Sequence, residues 1–278
     1  MSPLISVVIP TIGKPEYLVQ SIQSVIKQKL KVSEIIIVDG NEEKFLDEAI
    51  ESFKFNNNIK IIKNINGNAS ENRNLGVKKS ENDFIAFLDD DDIWLPNYLE
   101  ESYNSLLKSK SSVVICWLNY MKGDSIFPFK NIKKDLKINN LFFYNPGIIG
   151  SNIFIKKEIF NQINGFDESL EISEDKDFLI KMIKEKINYE VLDKRLVIHR
   201  HHSNKQLSFN YKTRLRGTTA FFKKYYNEMN LKERIFSKIT IDSLNSKIEK
   251  SFYKKIILYL KIITNRIIYH INFFQTIN

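Results

Sequence analysis

Four consecutive aspartates, Asp89-Asp90-Asp91-Asp92, follow directly on an apolar run, Phe84-Ile85-Ala86-Phe87-Leu88, and precede Ile93-Trp94. Ionised carboxylates about 4 Å apart repel by about 4 kcal/mol at an effective dielectric of about 20. A fold that gathers them at the end of a core strand normally has a cation to relieve that repulsion. Hard divalent ions, Mn2+ or Mg2+, take carboxylate oxygens and complete their shell from substrate phosphates. The C-terminal ends of parallel strands are also where open α/β sheets bind ligands. The competing structural reading is an acidic turn that complements a helix starting near Pro96. Apolar residues on both sides of the run favour the cation site.

The elements that must position these carboxylates alternate strand and helix over the first hundred residues, the pattern of a mostly parallel α/β sheet. Leu4–Ile9 reads as a strand stopped by Pro10, and Pro15–Lys29 as a helix with Leu18, Ile22, Val25 and Ile26 on one face. Strand Glu34–Val38 ends at Asp39-Gly40; a helix over Glu42–Phe53 and a strand at Ile59–Ile62 follow. The polar loop Asn64–Ala69 leads into a helix over Ser70–Lys79, and Phe84–Leu88 is the fourth strand. Three strands thus finish at Pro10-Thr11, Asp39 and Asp89–Asp92; if parallel, their ends line one rim, the geometry of a nucleotide crevice.

Further along, Val113–Trp117 reads as a strand, Lys122–Asn145 lacks a clear period, and Gly147–Lys156 is a strand opened by glycine. Gly165-Phe166-Asp167-Glu168 is a turn. Asp175–Lys186 is a helix with Glu174 and Asp175 at its N-terminal edge, and Leu196–His199 a short strand feeding His199-Arg200-His201-His202. From about Phe209 the pattern is helical and basic.

Of the 278 residues, 43% are hydrophobic and 27% charged, ordinary for a globular protein with an ample core. A single cysteine, Cys116, excludes an intrachain disulfide framework and any multi-cysteine metal site. No secretory leader is visible, and no run approaches the roughly 20 apolar residues of a membrane span, so a cytoplasmic protein is expected. The net charge of +9 is uneven: residues 194–278 hold 18 Lys and Arg against 4 Asp and Glu, whereas residues 1–193 are net −5.

In order along the chain stand Ile5-Ser6-Val7-Val8-Ile9-Pro10-Thr11, Ile35-Ile36-Ile37-Val38-Asp39, Asn72-Arg73-Asn74-Leu75-Gly76, Phe87-Leu88-Asp89-Asp90-Asp91-Asp92, Gly165-Phe166-Asp167-Glu168, Glu174-Asp175 and His202. Over residues 3–208 this series resembles the family 2 glycosyltransferases, nucleotide-sugar-dependent enzymes of the GT-A fold. The resemblance implies a GT-A type, Rossmann-like catalytic domain over 1–208. Its nucleotide-binding half would span 1–100 and its acceptor-binding half 101–208, with a basic helical extension over 209–278. It implies inverting transfer of a sugar from a nucleoside diphosphate, UDP first, onto a glycan or lipid-linked acceptor at the cell surface, with Mn2+ or Mg2+ as cofactor.

By the same resemblance Asp39 reads the base, Pro10 and Thr11 floor the base and ribose, and Arg73 lies beside the nucleotide, where its planar fork suits oxygen-rich ligands. Asp91 is the first metal ligand, Asp89 serves the ribose or the metal, and Asp90 can replace either. Asp175 is the catalytic base, with Glu174 and partial desolvation raising its pKa. Ser151, Asn152 and Glu174 belong to the acceptor or sugar side, Trp117 stacks on a sugar face, and His202 reaches the metal or diphosphate, with His199 and His201 as alternatives. Val38-Asp39-Gly40-Asn41 lacks the second acidic residue many relatives carry, which leaves UDP and dTDP both open.

Two other classes compete for the same residues. A sugar nucleotidyltransferase would carry a Gly-rich phosphate loop near the first strand, which Gly13 alone does not supply. A nucleic-acid-binding protein acting through the basic tail is opposed by the acidic body. In Phe252–Phe274, the residues Ile256, Leu260, Ile263, Ile267, Ile271 and Phe274 fall at helical spacing, with Lys254, Lys261 and Arg266 elsewhere around the helix. Such a helix either lies on an anionic membrane at the inner face of the cytoplasmic membrane or packs against the catalytic domain or a sister chain.

Overall fold

The computed structural model describes residues 3–12, 15–42, 53, 58–201 and 210–274. Strands β1 (Ile5–Thr11), β2 (Glu34–Asp39), β3 (Ile59–Lys63) and β4 (Phe84–Phe87) pair in parallel in the order β3-β2-β1-β4. Helices α1 (Pro15–Ile26) and α2 (Ala69–Lys79) connect them. The helix expected over Glu42–Phe53 lies largely outside the described residues. The strands are nearly continuous apolar runs because both faces are covered. Ile5, Val7 and Ile9 enter one buried cluster with Leu18 and Ile22 of α1, while Val8 enters another with Val77 of α2. Gly76 permits that second contact, since a Cβ there would lie 2.3 Å from a Val8 methyl.

Beyond β4 the sheet turns antiparallel through β8 (Ile153–Lys156) to β6 (Val113–Lys122), which pairs in parallel with β9 (Tyr189–Arg200). The short β5 (Ile93–Trp94) closes the order against β9. Helix α3 (Tyr98–Ser109) follows β5. The expected strand over Leu196–His199 is the end of the much longer β9. Asp193 and Lys194 interrupt its apolar pattern because they form a bulge: Leu192 faces Cys116 and Arg195 faces Trp117.

The region without a clear period, Lys122–Asn145, holds a hairpin and a helix. Gly123 at φ +57° and Asp124 turn β6 into β7 (Ser125–Pro128), and α4 (Ile138–Phe143) packs Leu141 and Phe142 into the core. The strand expected over Gly147–Lys156 is shortened to β8 by a 3-10 turn at Gly150–Asn152. There Asn152 folds back, its Oδ1 accepting from Ile149 N at 3.0 Å and its Nδ2 donating to Gly147 O at 3.0 Å.

Helix α5 (Lys157–Gln162) follows β8, and α6 (Glu174–Lys184) precedes β9. The basic region forms α7 (Tyr211–Tyr225), α8 (Leu231–Ile248) and α9 (Phe252–Phe274). Phe221 and Tyr225 of α7 and Met229 beyond it join the same buried cluster as Phe178 and Leu179 of α6.

Candidate active site

The three expected strand ends do meet at one rim: Thr11 pairs with Asp39, Val8 with Phe87, and Leu88 N donates to Val8 O at 3.0 Å. The chain then folds the aspartates into a tight turn. Ser21 of α1 donates to the carbonyls of Asp92 at 2.7 Å and Asp90 at 3.0 Å.

The four carboxylates have different surroundings. Asp92 is fully buried; its Oδ2 accepts from Ser151 Oγ at 2.6 Å and its Oδ1 from Arg200 N at 3.0 Å, with His199 Nδ1 also at 3.0 Å. Burial alone would lower the His199 pKa, but the Asp92 charge and hydrogen bond more than offset this and push it up to about 9. Asp90 accepts from Thr11 Oγ1 at 2.6 Å and Asp89 from Arg73 Nη2 at 2.6 Å. Asp91 carries the repulsion: burial first, then Asp92, Asp90 and Asp89, push its pKa up to about 8.

Among the described residues no three acidic, histidine or cysteine side chains form a ready-made metal cage. The donor chemistry nonetheless fits a hard divalent ion of the kind that takes one or two carboxylates and leaves the rest of its shell to phosphates. A carboxylate that resists ionising beside three others is a position where a cation would restore the charge.

Arg73 lies between this turn and the second acidic pair. Its guanidinium is buried, donating from Nη2 to Asp89 and from Nη1 to Glu174 Oε1 at 3.1 Å, with the Phe166 ring 5.2 Å away. Burial alone would lower its pKa, but Asp89 and Glu174 together hold it above the ordinary arginine value. Gly150 backs it closely: a Cβ there would stand 2.8 Å from Nε and 3.0 Å from Cζ. The position expected beside the nucleotide is therefore a strut between two carboxylates. Asn74, one residue on, holds the Gly165–Glu168 turn, exchanging hydrogen bonds of 2.9 Å with both the N–H and the carbonyl of Phe166. That turn seats Phe166 against Arg73.

Asp175 opens α6 next to Glu174. It is half-buried, its Oδ1 accepts from Lys176 N at 2.7 Å, and its Oδ2 accepts from Asn145 Nδ2. Burial, reinforced by the Glu174 charge, pushes its pKa up to about 7. The helix starts from Ser173 in the left-handed region at φ 75°, an uncommon conformation for a residue with a side chain. Gly217 of α7 lets the C-terminal helices press on this start, since a Cβ there would come within 2.8 Å of Ile172 Cβ. Neither Asn145 nor Gly217 stands out in the sequence. An isolated Asn-Pro-Gly turn and a lone helical glycine are the only signals.

Several expected contacts take a different form. Ser151 and Asn152, expected on the acceptor or sugar side, are fully buried. Ser151 ties Asp89 N to Asp92, and Asn152 bonds Cys116 O at 2.7 Å, so both side chains are spent on the protein's own backbone and turn. The Trp117 indole donates to Ile132 O at 3.1 Å and lies under the Arg195 guanidinium at 4.9 Å, so that face is covered by protein instead of a sugar. Pro10 is buried in β1. Asp39 is buried at the rim as expected, its Oδ1 accepting from Asn41 N at 2.9 Å and its Oδ2 paired with Lys63. His201 stands edge-on to Tyr120, and His202 lies outside the described residues.

Residues 6–163 match the family described as Glycosyl transferase family 2. The chain belongs to that family. The match takes in Asp39, Arg73, Asp89–Asp92 and Ser151 and stops short of Asp175. Among curated relatives, an uncharacterized glycosyltransferase of Rickettsia typhi is 30% identical over 192 residues, 66% of this chain and 59% of that protein. The glycosyltransferase GlyG of Streptococcus pneumoniae is 29% identical, covering 59% of this chain and 60% of GlyG. The chain thus spans about three fifths of the length of these two relatives. The poly(ribitol-phosphate) beta-N-acetylglucosaminyltransferase TarP of Staphylococcus aureus is 30% identical over 75% of this chain and 67% of TarP. In fold the chain is similar to S. aureus TarS residues 1–349, solved with UDP-GlcNAc, with a TM-score of 0.64 and 16% identity over 94% of this chain and 89% of that one. This family 2 chain therefore has the fold seen in TarS.

Proposed function

We propose that this family 2 chain is an inverting, metal-dependent glycosyltransferase that moves a sugar from a nucleoside diphosphate, UDP first, to a cell-surface glycan acceptor. One observation carries the reading: a single buried guanidinium, Arg73, joins the aspartate turn to the carboxylate pair that contains a base poised near neutral pH. A direct displacement needs those two things at opposite ends of one bond, a negative leaving group held at one side and a proton acceptor at the other. The UDP-GlcNAc bound by TarS and the acceptor in the TarP name support the donor and acceptor classes.

In this mechanism Asp39 accepts the imide N–H of the base once Lys63, half-exposed, gives way. Asp91 and Asp89 would hold the divalent ion, which supplies Lewis-acid stabilisation to the departing diphosphate. Asp175, kept in orientation by Asn145 and the Lys176 amide, takes the proton of the attacking acceptor hydroxyl. Arg73 keeps α6 at a fixed distance from the turn.

The test is a thermal-shift panel of nucleotide sugars with and without Mn2+, because a ligand specific to the folded state raises its melting temperature by mass action. UDP-sugars should stabilise the protein with Mn2+, and Asp91→Ala should remove the Mn2+-dependent part. No stabilisation by any nucleotide sugar in either condition would overturn the reading.

A further inference from the structure

The C-terminal helix leaves half its surface without a protein neighbour. Ile262 is buried against α8, whereas Phe252, Tyr253, Ile256, Leu260, Ile263 and Ile267 on the other side are all exposed, Leu260 at 58%. At 100° per residue these six share one arc. Ile257 and Ile268, also exposed, continue it, and Thr264 and His270 are its polar interruptions. Exposed apolar patches of this extent, rimmed by polar residues, mark docking surfaces. Among the described residues no helix is long and apolar enough to cross a membrane.

Charge decides the occupant. On the same projection Lys254 and Lys261 border one edge of the arc, and Lys255 and Arg266 the other. Phe252–Phe274 contains no Asp or Glu. The α8–α9 hairpin, Leu231–Phe274, carries nine Lys and Arg against three acidic residues. A second copy meeting the same face about a two-fold axis would set basic rims against basic rims. An anionic lipid surface answers both features: the arc sinks to the headgroup boundary and the flanking cations extend outward to phosphates.

The geometry points to α9 as an in-plane anchor that docks the chain on an anionic bilayer. Its hairpin partner α8 packs on α4, with Phe143 and Phe236 ring to ring at 5.1 Å. Two residues after Phe143 comes Asn145, the partner of Asp175. The anchor is thereby tied to the half of the site that receives the acceptor. Docking itself stands independently of the reaction proposed above.

The experiment is flotation of the full chain with phosphatidylcholine vesicles, with and without phosphatidylglycerol, at low and high salt. The chain should float with the anionic vesicles, less so at high salt, and not with phosphatidylcholine alone. Leu260→Glu with Ile263→Glu should abolish flotation. Lys254→Ala with Lys261→Ala should weaken it by about fivefold per cation removed. All four side chains face solvent, so circular dichroism and melting temperature should match the parent protein. Equal flotation of parent and both variants, or flotation indifferent to phosphatidylglycerol, would overturn the inference. So would sedimentation velocity showing a dimer that Leu260→Glu with Ile263→Glu dissociates while the parent ignores vesicles.

Discussion

If Asp175 is the base, its titration must appear in the rate. Burial and Glu174 lift its pKa from 3.8 to about 7. Below that value the ionised fraction falls about tenfold per pH unit, whereas an aspartate at about 3.9 would stay ionised down to pH 5. The logarithm of kcat/KM should therefore rise with unit slope to a bend near pH 7. Glu174→Gln should move the bend to lower pH for two reasons of the same sign. It removes the anion that raises the pKa, and it leaves Arg73 less compensated near Asp175. Asp175→Asn should cost about 100- to 10,000-fold in rate, the usual contribution of a positioned base. The same shift has a stability counterpart. A folded pKa raised above the unfolded value means that Asp175 contributes stability in full below about pH 4, lost as pH rises through about 7. Asp175→Asn should therefore melt higher than the parent at pH 8 while turning over far less. A profile that stays flat down to pH 5, or a bend unmoved by Glu174→Gln, would refute the reasoning. Kinetics with a UDP-sugar across pH 5–9, paired with melting curves, read both effects.

Three further outcomes follow from the same geometry. Gly150→Ala would set a methyl against the Arg73 guanidinium; the overpacking should cost about 1–3 kcal/mol in urea denaturation and disturb the pH–rate bend that Arg73 helps to set. Ser151→Ala strips a donor from Asp92 and an acceptor from Asp89 N in a fully buried setting, and should cost about 1–3 kcal/mol by the same assay. His199 has a folded pKa raised to about 9, so its pairing with Asp92 stabilises the fold fully below about pH 6.5 and is lost as pH rises through about 9; His199→Gln should flatten the melting-temperature profile over that window.

The parallel rim was legible because both of its signals are local. Apolar runs buried on two faces announce β1, β2 and β4, and aspartates at two of their ends mark the rim where those ends meet. Lys63 on Asp39 was not legible, since the pairing joins the ends of two strands 24 residues apart. The inward turn of Ser151 and Asn152 is not legible, because their order in the sequence does not reveal the 3-10 turn that buries both side chains. Trp117 reads as a sugar platform until β9 brings Arg195 across it, a consequence of the bulge at Asp193-Lys194. The tail shows the reverse case. Its helical spacing was visible, but which arc of α9 remains open depends on where α8 packs.

Arg73 shows why the aspartate run and the acidic pair have to be considered together. A buried cation between two carboxylates is a poor choice for stability alone, because desolvating three charges consumes most of their mutual attraction. Well-packed apolar side chains would fill the space between Gly150 and Phe166 at similar or better stability. Such a triad contributes direction: the guanidinium is planar, its two amino arms are fixed, and each arm takes one oxygen from a different element. The turn after β4 and the first residue of α6 are thereby held in one register, although 85 residues separate Asp89 from Glu174. The same charge acts at both ends, satisfying Asp89 beside Asp91 and opposing the rise of the Asp175 pKa. Arg73 therefore couples the two ends: were Asp89 neutralised from the other side, more of the guanidinium's field would fall on Glu174 and Asp175, lowering the pKa of the base.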